Sequence, residues 1–397
     1  RPYIDIRNFI EILSAVNKTK LIYGDTLLSP STIFYHNQSL LGEVMTPSFR
    51  LPKAEHQIVV DMKEETNGKG EKKFKVISET TRQMLEYAIS KKESVFLFAL
   101  RKGYAPTTTC NDCGTTILCP NCSAPIVIYN KKNGSKVVKI FMCNKCGHKS
   151  ETEILCPSCE SWNLTPLGIG TDRVYEEVHK LFPKANIIQI DKGATTTDKM
   201  IHKTMEDFYE SEGSILIGTE LVFSHMHNKV PHSAIISLDG LLSIPSFNIT
   251  QRILHIIEKI QSLTNTNLVI QTRIPENTIL QSILNGHIKE LYEEDLKERE
   301  TFGYPPFKRI IKITFTGTVS ETKKARDYIE RNLSAYKPQI FSAFIGKQKG
   351  HYITNMVVKI DPNLWSMTSS DNKGLLYEIL SSLPPSFSVN IDPEDLL

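Results

Sequence analysis

Apolar runs too short and too continuous for one-sided strands alternate with helical patterns over much of this chain. From Thr80 the pattern predicts a helix to about Lys91 and a strand at Ser94–Leu100. After an interruption it resumes with a helix at about Arg173–Phe182, a strand at Asn186–Asp191 and a helix at about Lys199–Tyr209. Strands at Ser214–Gly218 and Ala234–Asp239, a helix at about Ile249–Leu263 and a strand at Asn267–Gln271 complete this part. Ile- and Val-rich strands without polar alternation are buried on both faces, so the interleaving predicts a parallel sheet with helices on either side. Ile253, Leu254, Ile256, Ile257 and Ile260 fall on one helical stripe and are expected core.

The pattern changes towards the C-terminus. Arg309–Thr316 alternates, with Ile311, Ile313 and Phe315 on one face, and Ala325, Tyr328, Ile329 and Tyr336 follow at helical spacing. Strands at Ile340–Ile345 and Tyr352–Ile360 come next. A helix carrying Leu375, Leu376, Ile379, Leu380 and Leu383 and a strand at Phe387–Ile391 close the chain. The order βαββαβ predicts a ferredoxin-like α+β domain. The first seventy residues read differently: a helix (Phe9, Ile10, Ile12, Leu13, Val16), a short strand at Leu21–Tyr23, a Ser/Thr/Pro-rich passage, a second apolar run at Ile58–Asp61 and an Asn67–Gly70 turn. These look like the last pieces of a larger α/β unit, and a chain that opens on Arg1 reads as a fragment.

The interruption holds all eight cysteines, as the pairs Cys110/Cys113, Cys119/Cys122, Cys143/Cys146 and Cys156/Cys159. A Cys-x2-Cys turn aims two sulfurs at one centre, and two turns supply a tetrahedral zinc site. Eight ligands make two sites. The twenty residues between Cys122 and Cys143 suit a zinc-ribbon hairpin, giving Cys119, Cys122, Cys143 and Cys146 to one ion and Cys110, Cys113, Cys156 and Cys159 to a second, nested outside it. The spacing also leaves a crossed pairing open. Disulfides are the competing reading, against which stand the chain length, the lack of a signal peptide and the absence of further cysteines. Four thiolates saturate zinc, so both ions are expected to be structural and to supply much of the folding energy of a segment with little core.

Composition is that of a soluble globular protein, and no apolar run reaches the length of a membrane span. The formal charge of +3 falls by four, to about −1, with eight thiolates and two Zn²⁺. Nucleic-acid binding would therefore need a local patch. One is present: Lys131, Lys132, Lys136 and Lys139, with Tyr129 and Phe141, lie between the inner cysteine pairs as a basic hairpin able to touch phosphates and stack a base. A solvated ribbon tip is the plain alternative. His225, His227 and His232 read as loop residues rather than metal ligands, and Lys347, Lys349 and His351 sit at a turn.

Several motifs carry a resemblance. Arg101–Pro106 (RKGYAP) runs directly into the cysteines, followed by LGIGTDRV at Leu167–Val174, IQIDKGATT at Ile188–Thr196, ILIGTE at Ile215–Glu220, LDGLL at Leu238–Leu242, LVIQT at Leu268–Thr272, YPPF at Tyr304–Phe307 and Asp392-Pro393. In this order they resemble the PriA family, the primosomal protein N′ helicases of bacterial replication restart. IVVDMKEE at Ile58–Glu65 is similar to a family segment just before the second helicase lobe. The resemblance implies a superfamily 2 helicase and divides the chain into a first-lobe tail and linker (1–79), the start of a RecA-like second lobe (80–106), a two-zinc insertion (107–162), the rest of that lobe (163–275) and the C-terminal domain (276–397). It further implies DNA, primosome proteins and single-strand-binding proteins as partners, a cytoplasmic location and no membrane.

The motor motifs depart from the family. The sequence contains no G-x-x-x-x-G-K-[ST] phosphate loop, so ATP and Mg²⁺ are expected only with a complete first lobe. The family's GSATPS becomes Gly24–Ser31 with two extra residues, and Leu221–His227 stands where motif V continues into Lys-Gly. Motif VI, QVAGRAGR, falls on Lys259–Thr266, where Leu263 and Thr266 replace both arginine fingers. Loss of such a finger lowers turnover by roughly 10³–10⁵. The expected function is that of a PriA-like DNA-binding replication-restart protein without its own ATPase and with no catalytic residues. The alternatives are the second half of an active ATP-dependent 3′-5′ helicase, and a zinc-stabilised protein-interaction scaffold.

Overall fold

The computed structural model describes residues 6–44, 51–65, 75–100, 107–121, 125–133, 136–143, 148–150, 154–191, 197–242, 244, 246–348, 351–362, 373–393 and 396. In chain order the elements are α1 (Ile6–Asn17), α2 (Pro30–Asn37), β1 (His56–Asp61), α3 (Glu79–Lys91), β2 (Val95–Phe98), β3 (Thr107–Cys110), β4 (Ile126–Asn133), β5 (Lys136–Cys143), β6 (Lys149–Ser150) and β7 (Leu164–Leu167). Then come α4 (Thr171–Leu181), β8 (Ile187–Ile190), α5 (Asp198–Glu210), β9 (Ile215–Gly218), β10 (Val230–Ile235), α6 (Asp239–Leu242), α7 (Ile249–Leu263), β11 (Thr264–Thr272), α8 (Thr278–Asn285) and α9 (Ile288–Phe302). The last are β12 (Arg309–Gly317), α10 (Val319–Asn332), β13 (Gln339–Gln348), β14 (His351–Ile360), α11 (Lys373–Ser381) and β15 (Phe387–Ile391). The chain divides into two units, one of Phe49–Pro245 and Ile249–Ile288, the other of Arg1–Ser48, Ser246–Asn248 and Lys289–Leu397.

The first unit is built on a six-stranded parallel sheet in the order β1-β11-β10-β2-β9-β8. Its central strands β2 and β9 are buried at every position, which is why their sequences show no polar alternation. Val95, Leu97, Ile215, Ile217, Ala234 and Val269 form one core with Leu85 and Ala88 of α3 and Val174 and Val178 of α4. The run at Ile58–Asp61 is the edge of this same sheet: β1 pairs in parallel with β11, from His56 opposite Asn267 to Asp61 opposite Thr272. Gly218 ends β9 where a side chain could not fit, because a Cβ there would collide with the Val222 side chain of the following turn.

Two buried polar groups tie the carboxyl ends of the strands together. Gln271 Oε1 accepts from Ser78 N–H (2.8 Å) and Thr81 Oγ1 (2.8 Å), while its Nε2 donates to the Val76 and Ile236 carbonyls (2.8 and 2.9 Å). All four hydrogen-bonding positions of the amide are thereby used. Asp239 accepts from Thr272 Oγ1 (2.6 Å) and from the Arg273 backbone N–H, and its carboxylate lies 3.9 Å from the Arg273 guanidinium. Burial pushes the Asp239 carboxyl up and the Arg273 guanidinium down, each opposed by the other's charge. The pair turns the chain out of the sheet. Where the sequence pattern predicts a strand to Asp239, β10 ends at Ile235 and Asp239 opens α6.

The second unit contains a four-stranded antiparallel sheet in the order β13-β14-β12-β15. α10 falls between β12 and β13 and α11 between β14 and β15, so the chain order is βαββαβ. Ile311, Ile313 and Phe315 pack with Ala325, Ile329, Leu333, Met356, Val358 and Leu376. Thr318 and Glu321 close a reciprocal capping box at the start of α10. In the same unit Ser29 caps α2, Phe34 packs edge-on against Phe307 with centroids 4.9 Å apart, and Tyr292 donates to the Leu28 carbonyl (2.6 Å). Leu21–Tyr23 forms no strand, and the Tyr23 hydroxyl donates to Glu11 (2.7 Å) instead. No described helix is long and apolar enough to cross a membrane.

Candidate metal centre

A two-stranded antiparallel ribbon of β3 and β7 brings the first and last cysteine turns side by side, with Cys110 opposite Leu164. The sulfurs of Cys110, Cys113, Cys156 and Cys159 all lie within 4.8 Å of one another. Cys110 Sγ is 3.6 Å from Cys159 Sγ, and Cys113 Sγ is 3.5 Å from Cys156 Sγ. A tetrahedral zinc with bonds of ~2.3 Å sets its sulfurs roughly 3.8 Å apart. A disulfide needs ~2.05 Å. The donor set therefore fits a thiolate-bound metal ion such as zinc.

The turns share one design. In the first, the Cys110 N–H donates to the Thr115 carbonyl and the Gly114 N–H to the Cys110 carbonyl, both at 2.9 Å. The fourth repeats this with Cys156 to Ser161 and Glu160 to Cys156, again at 2.9 Å. Gly114 and Glu160 occupy equivalent places and both have positive φ, +73° and +57°. That reversal is what aims the turn's backbone at the sulfurs. The third turn shows the same closing bond, Cys143 N–H to the His148 carbonyl at 2.8 Å. The residues one before and six after the leading cysteine are also paired in three turns: Thr109 with Thr116, Leu118 with Pro125, and Met142 with Lys149.

Cys119 and Cys143 are buried in the small core of the module with Ile117, Ile126, Ile128 and Leu164. Cys122 and Cys146 lie outside the described residues. So do the side chains of Tyr129, Lys131, Lys132, Lys136 and Lys139, whose backbone forms the antiparallel β4–β5 hairpin with Tyr129 opposite Ile140 and Asn130 opposite Lys139. Phe141 is a correction to the sequence reading. Its ring is 5% exposed and packs in the module core, so it has no face to offer a base.

Outside the sulfurs lies a polar clasp that the cysteine spacing does not predict. The Asp112 carboxylate accepts from Ser161 Oγ and from Asn163 Nδ2 (2.9 Å), and Asn111 accepts from Thr165 Oγ1 (2.8 Å). The Asn111 N–H donates to the Asn163 carbonyl (2.9 Å), so the first and fourth turns are locked together through their own polar residues. The hydrogen bonds from Ser161 and Asn163 hold Asp112 below the usual carboxylate range. The only signal of it in the sequence is the density of Asn, Asp and Ser just after the outer cysteines.

His225 and His232 are both buried among partners of their own. His232 is buried between Glu93 (2.7 Å) and Asn267 (2.9 Å), and His225 lies against Asp198 (3.4 Å) and the His202 ring. Among the described residues no histidine belongs to a group of three or more close ligand atoms. Glu220 pairs with Arg252 (2.7 Å), Leu263 is buried at the end of α7, and Thr266 lies in β11.

Fold and site together define an α/β protein with a parallel sheet and a cysteine-rich insertion whose four clustered sulfurs fit a metal ion. No protein-family model matches the chain. It is similar to replication restart proteins PriA: 26% identical over 350 residues to that of Borreliella burgdorferi, covering 85% of this chain and 50% of that protein. The identity is 27% over 352 residues to the Chlamydia muridarum protein (84% and 45%) and 27% over 262 residues to the Bacillus subtilis protein (64% and 31%). The chain spans half the length or less of these relatives. Over most of its length the chain is therefore PriA-like in sequence.

Proposed function

We propose that this chain is a replication-restart module that binds DNA and assembles primosome and single-strand-binding proteins at stalled forks, without turning over ATP itself. The observation that carries the reading is the similarity to PriA over 85% of the chain, which spans both the parallel sheet and the cysteine module. In this reading the six-stranded sheet is a RecA-like second helicase lobe, and the β12–β15 sheet, in the order β13-β14-β12-β15, is a ferredoxin-like domain. Two zinc ions would be held by Cys110, Cys113, Cys156 and Cys159 and by Cys119, Cys122, Cys143 and Cys146. The repeated turn geometry supports four equivalent turns, including the two whose second cysteines are not described.

With four thiolates each, the ions would brace the module and offer no open coordination position. The working part would be the β4–β5 hairpin, where Lys131, Lys132, Lys136 and Lys139 would meet phosphates and Tyr129 a base. Hydrolysis needs a guanidinium on the transferred phosphoryl group, and Leu263 and Thr266 supply none. The buried setting of Leu263 supports the same reading.

Binding to a forked DNA should weaken with salt, because each phosphate that a lysine neutralises releases counterions. Replacing the four lysines by Gln should lower the log–log salt slope by about 0.7–0.9 for each phosphate no longer neutralised. An unchanged slope would move the DNA-binding surface away from the hairpin. A chimera joining an intact PriA first lobe to this chain should show DNA-stimulated ATP hydrolysis at least about 10³-fold below the intact enzyme. Turnover within about tenfold would overturn the loss of the motor.

A further inference from the structure

The fourth cysteine turn differs from the others in what it leaves uncovered. At the other turns every flanking residue except Lys149 is buried or half-buried: Thr109 and Thr116, Leu118 and Pro125, and Met142. The equivalent residues of the fourth turn are Leu155 and Trp162, and they are 53% and 76% exposed. The Cys156 N–H to Ser161 carbonyl bond sets these two residues at the base of the turn, as in its counterparts.

Trp162 is held for display. The residues on either side of it are the two that clasp Asp112: Ser161 donates through its hydroxyl and Asn163 through its amide. Asn163 N–H donates to Ser161 Oγ (3.0 Å), and the Asn163 carbonyl accepts from Asn111. The backbone that carries the indole is thus fixed before any partner arrives, which removes ordering entropy from binding. Exposed tryptophans on rigid backbone are typical anchors of protein interfaces.

The charges beside it select the occupant. Asp112 and Glu160 are both exposed and both negative. A nucleic acid stacked on Trp162 would bring its phosphates against these carboxylates. A protein segment with an apolar pocket and a flanking Lys or Arg would meet them favourably. The geometry points to a protein-docking surface on the fourth turn, centred on Trp162 and Leu155, for a partner segment that is apolar and basic. It does not depend on DNA binding by the lysine hairpin.

The test uses the zinc-loaded chain in a Trp365→Phe background, which leaves Trp162 as the one tryptophan of two. Phage-displayed random peptides selected against it should pair Leu or an aromatic residue with Lys or Arg, and should shift Trp162 emission to the blue. Trp162→Ala, assayed by peptide affinity in the parent chain, should weaken the selected peptides at least about tenfold with zinc content unchanged, and Trp162→Phe should restore most of the affinity. Glu160→Lys should weaken them about threefold. The proposal is overturned if Trp162→Ala binds the peptides as well as the parent, or if the selected peptides are acidic. It is equally overturned if emission responds to an oligo-dT strand, or to protein concentration alone, and not to peptide.

Discussion

The parallel sheet and the cysteine module are held together by different physics, although one unit contains both. The sheet buries strands such as β2 and β9 completely and ties its strand ends together through the buried Gln271 and Asp239. The module buries far less. Its core is a few side chains around the cysteines, and its shape comes from repeated turns and a polar clasp. A segment of this kind has its stability concentrated in a few bonds, whereas the sheet spreads it over a wide buried surface. The two should therefore fail independently.

Metal removal should show the largest separation. Apparent binding energies for structural zinc are of order 10–16 kcal/mol, so a strong chelator should collapse amide protection across residues 107–167 and leave that of β2, β9, β10 and β11 in place. Loss of protection throughout the sheet would break the comparison. The same contrast can be sharpened one ion at a time. Cys110→Ser and Cys156→Ser should each release the same zinc, while Cys119→Ser and Cys143→Ser release the other, as read by metal analysis of the purified variants.

An intermediate effect is expected at the carboxyl edge of the sheet. Asp239→Ala leaves the Arg273 guanidinium buried without its carboxylate, and should lower stability by about 3–5 kcal/mol in urea unfolding while both zinc ions stay bound. Replacing Asp239 and Arg273 together by apolar residues of similar volume should be much milder. A double variant as unstable as the single one would mean that the hydrogen bonds to Thr272 and the Arg273 backbone matter more than the charge pair.

The smallest effect lies on the surface of α3. A hydrogen bond from Arg82 holds Glu79 below its ordinary value, partly offset by burial. A lowered carboxyl contributes its full stabilisation above the ordinary carboxylate pKa and loses it as pH falls through the depressed value. Because nearly half of the Glu79 side chain is exposed to screening solvent, Glu79→Gln should change stability by less than about 0.5 kcal/mol at pH 7, and the difference should vanish in acid. A difference that grows on acidification would reverse the assignment.

The sequence alone determined what depends on spacing and periodicity. The spacing of the Cys-x2-Cys turns pointed to Cys110, Cys113, Cys156 and Cys159 as one set, and their sulfurs do cluster, because the ligand geometry of each turn is local. Unbroken Ile and Val runs announce strands buried on both faces because side chains alternate every residue. The helix at about Ile249–Leu263 was readable from its apolar stripe, which α7 buries. What only the tertiary structure decided involves residues distant in the chain. Ile58–Asp61 became the sheet edge because it pairs with β11, some two hundred residues later. Phe141 read as a stacking ring and is core, because its register opposite Ile128 directs it into the cluster around the cysteines. The clasp of Asp112 with Ser161 and Asn163, and the open indole between them, join turns some fifty residues apart. They meet only once β3 and β7 have paired, and no local pattern encodes that pairing.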